Sequence, residues 1–263
     1  MKTLSQNRIS GNQRGFTLVE MSVVLLVIGL ILGAVSIGKD LQRDSEYMKV
    51  KQKFIDQWAS AYNAYYMRTG VVLGDSQVAP RIMVNGALYN TGAPPSDPLS
   101  GGDMTGVTGP AELCSTNLFK EMDRIGVRMP PGRAEGSEDR YVYLDSNGNP
   151  QEVQVCFKWN NPTTPSGSGN VMVIKGLTPD LARALDQEID GKPDAREGVF
   201  RQSTVANDTT GVPGVEWAGN NTLTGPGGFS GGTPCTPGSA TDTTNNKDED
   251  QVCVYTAHYK MNQ

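Results

Sequence analysis

The sequence predicts an α+β chain in which one long N-terminal helix, apolar in its first half, packs on an antiparallel β-sheet with extended loops. Three observations carry that expectation. From Phe16 to Gly38 run 23 residues with no proline and a single charge, Glu20. Beyond them Tyr47, Val50, Phe54, Trp58, Ala61, Tyr62 and Tyr65 recur at steps of three and four, the spacing of one helix face. Further on, Tyr141–Leu144 and Val153–Trp159 flank the turn-rich Asp145–Pro150, which reads as a hairpin.

The apolar run explains itself first. At 1.5 Å per residue it makes about 34 Å of helix, enough for a hydrocarbon core of about 30 Å. The 15 residues ahead of it carry Lys2, Arg8 and Arg14 and no acid. Positive charge beside a span stays cytoplasmic, so the rest of the chain is expected across the membrane. A secretory signal has an apolar core of only about 7–15 residues. A cut after Ala34-Val35-Ser36 would leave both the leader and Glu20 unexplained, and an uncleaved anchor would leave the glutamate incidental. A carboxylate at mid-bilayer costs about 2.5–3.5 kcal/mol on insertion scales, so Glu20 is expected to have a partner or a task.

Gly15-Phe16-Thr17-Leu18-Val19-Glu20 resembles the processing site of type IV prepilins and of the related pseudopilins of type II secretion. The resemblance implies a pilin fold, with a prepilin peptidase and methyltransferase that cuts after Gly15 and methylates Phe16. It further implies that Glu20 pairs with the terminal amine of a neighbouring subunit in a filament. The physics fits, because a buried cation and a buried anion are each intolerable alone and a staggered neighbour neutralises both. Residues 1–15 would be the cleaved leader, 16–38 the membrane-spanning and filament-core helix, 39–69 its amphipathic continuation, and 70–263 a globular head with a C-terminal disulfide loop. Tyr65-Tyr66-Met67-Arg68-Thr69-Gly70-Val71-Val72-Leu73-Gly74-Asp75 is similar to the stretch that follows the long helix in many pilin-like proteins, with Leu73 where proline is usual. The partners implied are other pilin subunits and an inner-membrane assembly platform. The location implied is a single-pass inner-membrane protein with a periplasmic head, which later enters an extracellular pilus or a periplasmic pseudopilus. Size favours a minor or large pilin. A type II secretion pseudopilin and a filament-tip adhesin or ligand-binding receptor are the alternatives.

Removing 15 residues from 263 leaves 248, enough for one sizeable domain. Loss of the leader's three cations moves the formal charge from −5 to −8, and no basic cluster follows, so no nucleic-acid partner is expected. Helix is expected without a break from Phe16 to about Arg68, roughly 80 Å, with Gly70 as its stop. Gly29, Gly33 and Gly38 are its weak points, since glycine costs a helix about 1 kcal/mol against alanine. Residues 76–111, with Pro80, Pro94, Pro95, Pro98 and Pro110, read as an irregular connection. Glu112–Gly126 reads as a short helix closed by Pro130-Pro131-Gly132, and Val171–Ile174 as a third strand. Thr178-Pro179 reads as the cap and first residue of a helix ending at Gly191. Residues 203–250 are polar, and Val252–Tyr255 reads as the final strand.

Cys114, Cys156, Cys235 and Cys253 all follow the apolar run, and an even count in an exported domain reads as two disulfides. Four cysteines allow three connectivities. Locality and the resemblance together rank Cys114–Cys156 with Cys235–Cys253 first. No cofactor is expected. Asp186, Asp190, Asp194 and Glu197 invite a calcium reading, because some pseudopilins bind calcium in C-terminal loops, but their spacing is not that of an EF-hand loop. A solvated turn is the reading preferred. Gly228-Phe229-Ser230-Gly231-Gly232 matches G-x-S-x-G with Asp242, Asp248 and His258 downstream, yet it sits in a Gly/Thr-rich stretch without the strand-to-helix elbow. His258 reads as a strand-end residue, and no catalysis is expected.

Overall fold

The computed structural model describes residues 17–87, 109–146, 148–205, 214–217, 223–224, 251–252 and 254–261. The chain divides into two compact units, residues 1–42 and 43–263. The first unit is built on helix α1 (Leu18–Val50), whose residues from Leu18 to Val35 are all exposed and almost all apolar. That stretch is long and apolar enough to cross a membrane.

The second unit takes up the last residues of α1. A π-turn, Lys51–Ile55, follows, then α2 (Asp56–Thr69). Gly70 ends α2 in the left-handed region at φ 74°, and its N–H donates to the Tyr66 carbonyl. α3 (Ser115–Ile125), β1 (Arg140–Leu144), β2 (Pro150–Asn160), β3 (Gly169–Leu177), α4 (Pro179–Asp190) and β4 (Phe200–Gln202) come next. Two short strands, β5 (Leu223–Thr224) and β6 (Gln251–Val252), pair with each other. The last strand, β7 (Tyr255–Lys260), enters the main sheet between β3 and β4, giving the order β1-β2-β3-β7-β4 with every pairing antiparallel.

One face of this sheet meets the helix stripe. Val153, Val155 and Phe157 of β2, with Met172 and Ile174 of β3, are fully buried there, and so are the seven stripe residues from Tyr47 to Tyr65. Tyr62 stacks on Phe157 at 5.3 Å, Trp58 meets the same ring edge-on, and Phe54 lies 5.4 Å from Tyr141. Rings at these offsets add roughly 0.5–1.5 kcal/mol per pair beyond area burial. The other face carries a small cluster of Cys156, Val171 and Val173, with Cys114 against it. Cys114 and Cys156 are disulfide-bonded.

Four expectations are corrected. The helix is not α throughout, because the Asp56 N–H bonds to the Lys51 carbonyl five residues back and opens the π-turn. The helix expected from Glu112 begins at Ser115, because Leu113 exchanges backbone hydrogen bonds with Phe157 and holds the chain extended as far as Cys114. The strand expected at Val252–Tyr255 is two strands: Gln251–Val252 pairs with Leu223–Thr224, and Tyr255 opens the six-residue β7. His258 therefore lies inside a strand, opposite Val173 and Arg201. Ala257 and His258 have no strong strand preference of their own. Their pairing on both sides with β3 and β4 decides their conformation.

Candidate assembly site and the acidic turn

The helix start is built from Thr17 and Glu20. The Thr17 N–H and hydroxyl both donate to Glu20 Oε2, at 2.8 and 2.9 Å, while the Glu20 N–H donates to Thr17 Oγ1 at 3.2 Å. This is a reciprocal capping box: a threonine cap and a glutamate three residues on satisfy each other's backbone donors. It puts the one carboxylate of the apolar run at the helix end where a negative charge is stabilised by the peptide dipoles. Every residue from Leu18 to Val35 leaves its side chain outward, so the segment offers a continuous apolar surface with Glu20 near one end. Gly15 and Phe16 lie outside the described residues.

The acidic residues after α4 form a second constellation. Asp186 is fully buried, and its Oδ2 accepts from Trp217 Nε1 at 2.6 Å and from the Asp194 N–H at 2.7 Å. Asp190 accepts from the N–H groups of Val199 and Phe200. Asp194 Oδ1 accepts from those of Arg196, Glu197 and Val215, and Lys192 pairs with Oδ2 at 3.0 Å. The solvated-turn expectation is thus overturned, because two of the three aspartates are interior and all three tie backbone segments together. A calcium ion takes six to eight oxygens. Most of the oxygens here are already aimed at N–H donors and an ammonium, and the Asp186 Oδ1 left over is far short of that number. Burial pushes the Asp186 carboxyl up to about 7, with the neighbouring charges of Asp190 and Asp194 acting the same way against its two hydrogen bonds. Trp217, buried between Phe200 and Tyr255, pegs this stretch of the polar region to the head.

His258 is buried, and its Nδ1 lies 2.6 Å from Ser166 Oγ and 3.0 Å from Asn160 Nδ2. Burial, helped by Lys158 and Lys175, holds it down at about 4, so the ring is neutral at pH 7. Its hydroxyl neighbour is Ser166; the serine of the G-x-S-x-G match, with Asp242 and Asp248, lies outside the described residues. Among described residues, Glu112, Cys114 and Cys156 converge closely enough for a metal, but the two sulfurs are consumed by their disulfide. Glu112 instead pairs with Lys175 at 2.6 Å. Cys235 and Cys253 lie outside the described residues.

Residues 10–36 match the family model of the prokaryotic N-terminal methylation motif, the class III signal peptide of type IV pilin-like proteins. The match covers the residues just ahead of the helix, the capping box and the apolar stretch as far as Ser36. It supports a type IV pilin-like or pseudopilin protein, a class whose work is structural. No curated protein and no solved structure matches the chain.

Proposed function

We propose that the protein is a structural subunit of a type IV pilus-like filament, a minor or large pilin that is cut after Gly15, methylated on Phe16 and assembled through its N-terminal helix. The observation that carries this reading is the methylation motif joined to an exposed apolar helix that keeps one carboxylate, Glu20, at its start. In the unassembled chain Thr17 satisfies that carboxylate. In a filament the amine of a neighbouring subunit takes over as the charged partner, which neutralises two groups that lipid tolerates poorly. Residues 1–15 are then the leader, 16–38 the span, 39–69 the amphipathic continuation and 70–263 the head. The head lies in the periplasm before assembly, and the partners are the prepilin peptidase, the inner-membrane platform and other pilins.

The test is the N-terminal sequence and mass of the chain from cells with and without the prepilin peptidase. A terminus at methylated Phe16 that disappears with the peptidase is the expected result. An intact leader in both, or a terminus at Ile37, sinks the proposal.

A further inference from the structure

The π-turn Lys51–Ile55 is not required by the core it serves. At about 100° per residue, Tyr47, Val50, Phe54, Trp58, Ala61, Tyr62 and Tyr65 fall within an arc of about 120° on an uninterrupted α-helix, the width of an ordinary core-facing stripe. A regular helix would therefore already present the whole stripe. The one extra residue instead turns residues 43–50 by about 100° about the axis relative to α2. Something else must hold it in place.

Lys51 and Asp56 do so. The Lys51 ammonium reaches both carboxylate oxygens of Asp56, at 2.9 and 3.2 Å, with the lysine side chain 19% and the aspartate side chain 39% exposed. Residues five apart stack one above the other in a π-turn, but lie about 140° apart around an α-helix. This ion pair belongs to the π register alone. The backbone bond from the Asp56 N–H to the Lys51 carbonyl closes the same ring.

We propose that Lys51–Ile55 is a two-register joint. The Lys51–Asp56 pair holds the π register, and loss of the pair returns the segment to the α register, turning residues 43–50 about the helix axis while Trp58 and Tyr62 stay on Phe157. The apolar stripe serves either register, so the joint moves without unpacking α2. Tyr47, which meets Tyr143 edge-on at 6.4 Å, is the contact that registers the change.

The experiment places one cysteine pair, Gln52→Cys with Gln57→Cys, in the full chain in lipid bilayer discs; both positions are exposed. On an α-helix these Cα atoms lie about 8.7 Å apart, beyond the roughly 7 Å that a disulfide spans. A mild oxidant is expected to link positions 52 and 57, read by peptide mass. Adding Asp56→Asn or Lys51→Gln should slow the linkage at least fivefold, while Lys51→Arg, which keeps the pair, should retain the parent rate. Absence of the link in the parent overturns the proposal, because the π register is then not populated. An unchanged rate with Asp56→Asn and Lys51→Gln overturns it as well, because the pair then does not hold the register. Neither result depends on whether the protein enters a filament.

Discussion

Cys114–Cys156 closes a loop of 42 residues that contains α3 and β1. In the chain-entropy model, removing a cross-link over that span frees the unfolded chain by about 4 kcal/mol at 25 °C. Cys114→Ala with Cys156→Ala is the cleaner pair of changes, since Cys156 is fully buried beside Val171 and Val173 and a serine there would add an unpaired hydroxyl. The native bridge between Leu113 and Phe157 stays, so the folded state keeps its shape and the whole effect falls on the unfolded one. Urea unfolding of the full chain in detergent, followed by tryptophan fluorescence, should show a loss of about 3–4 kcal/mol. The slope against urea should also steepen, because the freed loop exposes more surface. A loss below about 1 kcal/mol refutes the argument. So does a full loss with no change of slope, which would place the effect in the native state.

Two buried groups should set opposing pH slopes. Asp186 binds its proton more tightly folded than unfolded, so its contribution is complete below about pH 4 and is lost as pH rises through about 7. His258 behaves oppositely: its contribution is complete above about 6.5 and is lost as pH falls towards about 4. Each slope is about 1.4 kcal/mol per pH unit between about pH 4.5 and 6, so the parent should be nearly flat there. Asp186→Asn should leave stability rising with pH and His258→Gln falling, read as urea midpoints; parallel curves for all three would refute the assignment. Gly176 sits at φ 85° in the irregular step between Lys175 and Leu177, and a Cβ there would collide with the Glu152 carbonyl oxygen. Gly176→Ala should cost about 2 kcal/mol or more in the same assay. Glu20→Val should leave membrane insertion and leader cleavage intact while lowering recovery in sheared surface filaments at least tenfold, and normal recovery would argue against the charge-pair role.

Much of this was readable in the residues, and the failures have physical causes. The stripe from Tyr47 to Tyr65 and the hairpin strands announced themselves because each has one apolar period and a covered face. The glycine after α2 and the Thr178-Pro179 cap were equally plain, since backbone geometry restricts which residues can stand there. The π-turn was invisible, because the stripe fits an unbroken helix and only the pairing of Lys51 with a residue five positions on betrays it. β7 was hidden because Ala257-His258 takes its conformation from β3 and β4, neighbours remote in sequence. The acidic turn misled for a related reason. Aspartates near glycine and proline read as solvated until Trp217, far along the chain, is seen to close over one of them.

The place of β7 also sets a schedule. A sheet in which the last-made strand lies between two earlier ones cannot close from one end as the chain emerges. Among the described residues, β4 has no partner in the main sheet until Tyr255–Lys260 arrives. At about 5–20 residues per second, the roughly 200 residues between α1 and β7 take about 10–40 s to synthesise. The apolar helix is finished long before that interval ends. The apolar helix is therefore made first and the sheet completed last, and during the wait the exposed edges of β3 and β4 need shelter from other chains.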